Sequence, residues 1–246
     1  MSIFVVAGAT GHVGSVVARE LLAAGHKVRA IVRNVEKAKA LAGQGAELFA
    51  GELGDSGFLT RALRGADGAF LLLPPANDAP DVRALQDRVA HAEADAVAES
   101  GVRHVVLLSS WGAEKPSGTG PIVGLHVLEE ALKKTGAITT LLRAGSFTEN
   151  LLSVVPAAQH RGILPNFFPP EYKLATVATR DIATAVVRAL LSPPAATEVV
   201  YVLGTHEYSA VDQAAYLSKK LGKEIKLLNL PVSAASGAIQ QGGVGA

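Results

Sequence analysis

Apolar residues along this chain fall into short unbroken runs separated by stretches with helical spacing. The runs Ile3–Ala7, Lys27–Val32, Glu47–Ala50, Gly68–Leu73, Val102–Ser109 and Ile138–Arg143 predict strands. Helices are expected between them, near 13–24, 35–43, 56–65, 80–100 and 123–135. The strands lack the apolar–polar alternation of a half-exposed sheet, so both of their faces must be covered. A repeating strand–helix–strand order with right-handed crossovers then gives an α/β fold with a doubly wound parallel sheet.

The helix near 80–100 carries Val82, Leu85, Val89, Ala92 and Ala96 on one side, with Asp81, Asp87, Glu93, Asp95 and Glu99 on its other faces. Ser100-Gly101 supplies its stop. In the helix near 123–135, Leu125, Leu128 and Leu132 form the apolar side. Glu129–Lys133 and Glu130–Lys134 are i,i+4 pairs expected on a solvated face.

After Arg143 the pattern loosens. Residues 144–173 read as a loop-rich stretch punctuated by Gly145, Pro156, Gly162, Pro165, Pro169 and Pro170. Its aromatics, Phe147, Phe167, Phe168 and Tyr172, suit the wall of a pocket. A helix near 180–191, a strand near 198–203, a helix near 209–221 and a strand near 225–230 follow. The tail QQGGVGA is flexible in composition and stands where another helix is expected. The expected division is a nucleotide-binding domain over 1–145 and a smaller C-terminal substrate lobe over 146–246, interleaved with the sheet.

Composition removes several function classes. With 23 Lys+Arg against 22 Asp+Glu the chain lacks the excess positive charge that a phosphate backbone demands, so no nucleic-acid partner is expected. Having no Cys, it can form neither disulfides nor thiolate metal sites, and its seven His residues show no HxxH or HExxH spacing, so no metal is expected. Its first apolar run breaks at Gly8, and none approaches the roughly 18 residues of a membrane span. A soluble, cytoplasmic protein without a membrane partner is the expectation. GxxxxGK[ST] and GxSxG are also missing, which argues against a P-loop NTPase and a hydrolase elbow.

What remains is the turn after the first strand. Gly8-Ala-Thr10-Gly11-His12-Val13-Gly14 leads into a helix with Val16, Val17, Leu21 and Leu22 on its apolar side. Glycines there let the backbone approach a pyrophosphate, whose charge meets the positive helix end, and Gly14 lets the helix lie close to the strand. Such a turn in the first βαβ unit marks a Rossmann-type dinucleotide site. At the end of the second strand, where an NAD site places a carboxylate for the ribose, stand Arg33 and Asn34. A guanidinium pairs with a 2′-phosphate, so Arg33 argues for NADP(H) over NAD(H), with Arg29 or Lys37 as helpers.

These residues, with GELGD (51–55), LLLP (71–74), VVLLSS (105–110), EEALKKTG (129–136), LLRAGSFTENL (141–151) and RDIA (180–183), resemble the NmrA-like family of atypical short-chain dehydrogenases/reductases. That family includes NADPH-dependent quinone reductases and redox-sensing regulators that bind NADP without turnover. The resemblance runs from residue 3 to about 230. It implies Leu53, Gly54 and Asp55 beside the adenine and Leu73 and Pro74 toward the nicotinamide ribose. It implies Ser109 and Ser110 facing the nicotinamide, with Phe147, Thr148, Glu149 and Asn150 over the reactive ring and Trp111 in the substrate pocket. Asp55 reads equally well as a helix cap, and Asn150 as a local turn residue. The resemblance leaves a homodimer open.

Ketone-reducing short-chain dehydrogenases use a Tyr-x-x-x-Lys pair beyond the fifth strand, where the Tyr protonates the alkoxide. Residues 110–137 contain no Tyr. A quinone needs less help, because hydride transfer leaves a delocalised, easily protonated oxygen and orientation supplies most of the catalysis. The expected function is therefore NADPH-dependent hydride transfer to a quinone-like small molecule. The alternative is a non-catalytic NADP(H) sensor acting through a protein partner. No acid is identified; the candidates are His126 and Ser109, and after them Lys115.

Overall fold

The computed structural model describes residues 1–75 and 79–231. The chain divides into two compact units, one of residues 1–144 and 180–202, the other of 145–179 and 203–246.

The first unit is built on a seven-stranded sheet. Its strands are β1 (Ile3–Val6), β2 (Lys27–Val32), β3 (Glu47–Ala50), β4 (Gly68–Leu72), β5 (His104–Ser110), β6 (Ile138–Ala144) and β10 (Glu198–Val202). They lie in the order β10-β6-β5-β4-β1-β2-β3, and every neighbouring pair is parallel. The order reverses beside β1, which makes the carboxyl ends of β1 and β4 the switch point where doubly wound sheets bind ligands. The helices are α1 (His12–Ala23), α2 (Lys39–Gly43), α3 (Ser56–Leu63), α4 (Val82–Ser100), α5 (Val123–Leu132) and α7 (Thr179–Leu191).

Residues of α3, α4 and α5 bury one sheet face in a single cluster with Val5, Ala7, Ile31, Leu71, Val105, Leu107 and Leu141. On the opposite face Leu190 of α7 and Phe4 both lie over Gly68, where a Cβ would meet each of them at 3.4 Å. Both faces are thus covered, as the continuous apolar runs require. Asp55 and Asp81 cap α3 and α4 by accepting from the Phe58 and Ala84 amides, and Gly101, at φ +73°, ends α4.

The second unit contains β7 (Ser146–Phe147), α6 (Asn150–Arg161), β8 (Ile163–Asn166), β9 (Leu174–Val177), β11 (Glu207–Tyr208), α8 (Ala210–Leu221) and β12 (Lys226–Asn229). β11, β9 and β7 form one small sheet and β12 and β8 another. Ala158, Leu164, Ala214, Leu217 and Ile225 make its core, with Leu151, Val154 and Val155 packed alongside.

Three expectations are corrected. The stretch 144–173 is not mainly loop: α6 runs through it with Pro156 inside, because Leu151, Val154, Val155 and Ala158 give it an apolar stripe to bury. Pro156 forgoes one helical hydrogen bond, and packing outweighs that loss. Glu93 does not lie on a polar face but is fully buried in α4. Glu129 is buried as well, and Lys133 bonds Glu130 instead. The tail 240–246 lies outside the described residues.

Candidate functional site

At the end of β1 the chain turns at Gly8, whose φ of +58° favours glycine. The Gly11 amide donates to the Gly8 carbonyl at 2.9 Å and closes the turn. A Cβ on Gly14 would stand 2.3 Å from the Gly8 oxygen and 2.9 Å from that of Ala7, so only glycine lets α1 start this close to the strand. No side chain caps α1 at Gly11. The first-turn amides of His12, Val13 and Gly14 therefore have no acceptor among the described residues, and the helix dipole adds to their positive field. An anion of diphosphate type fits this cradle. Thr10 and His12 are exposed around it and Val13 is buried beneath.

Arg33 and Lys37 are exposed just beyond β2. Asn34 accepts from the amides of Glu36 and Lys37, which folds the chain back after Arg33. Arg33 has no ion-pair partner among the described residues. Arg29 does not join it: its guanidinium donates to the Ala62 and Arg64 carbonyls at 2.8 Å each and lies over the Phe49 ring. It ties the end of α3 to the sheet instead of facing a nucleotide.

Asp55 is committed to the α3 cap, and a Cβ on Gly54 would meet Arg88 Nε at 3.0 Å. Leu53 and Leu73 pack against the main core, with Pro74 half-buried next to Leu73.

Ser110 donates to the Trp111 carbonyl, and Trp111 is exposed where β5 ends. Ser109 turns inward. Its hydroxyl, buried, donates to Glu129 Oε1 at 2.5 Å. The same carboxylate receives Arg143 Nε at 3.0 Å and Nη2 at 2.7 Å, and Arg143 Nη1 donates to Tyr201 Oη at 3.0 Å and Glu114 Oε2 at 3.3 Å. Bonding to Glu129 raises the Arg143 guanidinium further above its ordinary value, so it stays charged. Ser109 is therefore no free donor for a substrate. This network was missed from the sequence, where Glu129 and Arg143 stand on different elements and Tyr201 far beyond both.

His126 is half-buried, its Nδ1 2.8 Å from the Ala113 carbonyl. A carbonyl only accepts, so Nδ1 carries the hydrogen and Nε2 is the free nitrogen of the neutral ring. Lys115 is exposed in the same loop.

In the second unit, Phe147 pairs with Val177, and Thr148 is exposed with its amide on the Val177 carbonyl. Glu149 is occupied: its carboxylate accepts from the Thr179 amide at 3.0 and 3.1 Å and from the Thr179 hydroxyl at 2.8 Å. Asn150 is exposed as the first residue of α6. Among the described residues no acid or His cluster could hold a metal ion, and no helix is long and apolar enough to cross a membrane.

The model of the NmrA-like family matches residues 2–241. The chain belongs to the NmrA-like family. A (4-alkanoyl-5-oxo-2,5-dihydrofuran-3-yl)methyl phosphate reductase of Streptomyces griseus is 34% identical over 235 residues, 95% of this chain and 79% of the relative. Quinone oxidoreductase 2 of Escherichia coli is 30% identical over 245 residues, 97% and 82% respectively. The solved structure of an NADPH-dependent quinone oxidoreductase from Escherichia coli, complexed with NADPH, superposes with a TM-score of 0.81. It is 26% identical, and the match covers 99% of this chain and 91% of that one. Relatives of this NmrA-like chain at 30% identity include an NAD(P)H azoreductase of Xenophilus azovorans.

Proposed function

We propose that this NmrA-like protein is an NADPH-dependent oxidoreductase that passes a hydride to quinone-like small molecules. The observation that carries the reading is the glycine cradle with the uncapped start of α1, followed along the sheet by the exposed guanidinium of Arg33. The His12, Val13 and Gly14 amides would hold the diphosphate, and Arg33, helped by Lys37, the 2′-phosphate. Gly54, Leu73, Pro74 and Ser110 would border the rest of the nucleotide, and Trp111 the acceptor. Bound NADPH supplies the hydride; the chain supplies orientation and a site from which water is kept. The quinone oxidoreductase among its relatives supports this substrate class, and the Streptomyces relative supports reduction.

Steady NADPH oxidation on addition of a benzoquinone is the expected result. Nucleotide binding with no turnover across quinones, azo dyes and enals would overturn it in favour of a sensor.

A further inference from the structure

Ser109, Arg143 and Tyr201 stand in one row. Each is the next-to-last residue of its strand, β5, β6 and β10, and the strand registers pair Ser109 with Arg143 and Arg143 with Tyr201. Equivalent positions on adjacent parallel strands share a sheet face, and this row lies at the carboxyl ends, where such sheets place their chemistry. Glu129 of α5 closes it from above, its carboxylate only 1% exposed.

The directions of the hydrogen bonds decide what the row can do. Ser109 gives its only hydrogen to Glu129. Arg143 spends Nε and Nη2 on Glu129, which fixes the plane of the guanidinium and leaves Nη1 to Tyr201 at 3.0 Å and, at the longer 3.3 Å, to Glu114. Tyr201 Oη accepts that bond, and its ring lies 5.8 Å from the Arg143 carbon. Its own phenolic hydrogen has no acceptor among the described residues, and half of the residue is exposed. A cation already rests against the oxygen that would carry the charge afterwards.

We propose that Tyr201 is the proton donor to the reduced acceptor, with Arg143 as the residue that positions it. The pair takes the place of the Tyr-x-x-x-Lys couple missing from residues 110–137, and it comes from two strands instead of one helix. The proposal rests on the quinone reading. A quinone that takes a hydride, with NADPH oxidised to NADP+, becomes a hydroquinone monoanion. The Tyr201 O–H bond breaks, a new O–H bond forms on that anion, and the phenolate left beside Arg143 regains a proton from water.

Tyr201→Phe keeps the ring over Arg143 and removes only the hydroxyl. With electron-rich tetramethyl-benzoquinone, whose anion is the stronger base, its kcat should fall roughly a hundredfold, the size of a lost general acid. With electron-poor tetrachloro-benzoquinone the loss should stay within about threefold. Without nucleotide, 4-nitrophenolate, a mimic of the anionic product, should bind the variant about tenfold more weakly, one lost hydrogen bond to a charged group. Equal losses on both quinones, or none, would overturn the proposal, as would unchanged nitrophenolate binding. If the wild type turns over no quinone, the function proposed above fails, and the nitrophenolate measurement still decides whether Tyr201 donates.

Discussion

Glu129 and Arg143 meet as a bidentate pair beneath α5, both nearly inaccessible to solvent, at 3.0 Å and 2.7 Å. Truncating one partner strands a buried charge, so Glu129→Ala should destabilise the protein by about 3–5 kcal/mol in urea unfolding. The double variant Glu129→Leu with Arg143→Met removes both charges and should recover most of that loss. Equal destabilisation in the two would mean that the pair contributes net stability of its own.

Glu93 presents the opposite case. It is fully buried, and neither carboxyl oxygen reaches hydrogen-bond geometry with a described residue. Burial pushes this carboxyl well above the usual carboxylate range, and the nearby Leu72 amide offsets only part of the rise. The folded state then holds a proton that the unfolded chain releases near its ordinary value of 4.5. Stability therefore falls as pH climbs from that value toward the folded-state value. Glu93→Gln should flatten this decline, and Glu93→Leu should stabilise by about 1–3 kcal/mol, the cost of an unpaired buried polar group. Unfolding curves between pH 4.5 and 8 test both; a wild-type slope identical to that of Glu93→Gln would contradict the account.

His126, with Nδ1 tied to Ala113, is placed as a brace of the β5–α5 connection more than as an acid. His126→Ala should leave quinone turnover within a few-fold. A fall of about a hundredfold, the size of a removed acid–base group, would assign the proton to its Nε2.

The parallel sheet was legible because strands buried on both faces write themselves as apolar runs; β2 and β3 carry the very bounds that the pattern predicts. The glycine turn was legible for a similar reason, since its geometry admits few other residues. Helix α6 was not, because Pro156 and the surrounding prolines signal a break while its stripe packs with Ala214, Leu217 and Ile225, far along the chain. The roles of Ser109, Glu129 and Glu149 were hidden for a related reason. A polar residue announces that it can bond, but only the fold shows that the partners are Glu129, Arg143 and Thr179. Asp55, open to two readings, caps α3.

The glycine turn and Arg33 together would set which nucleotide the protein holds. Calorimetric titration of the wild type and Arg33→Asp with NADPH and NADH tests this directly. The wild type should bind NADPH at least about tenfold more tightly than NADH, roughly 1.4 kcal/mol, and Arg33→Asp should erase that gap while sparing NADH. Equal affinities for the two nucleotides, or no heat with either, would contradict it.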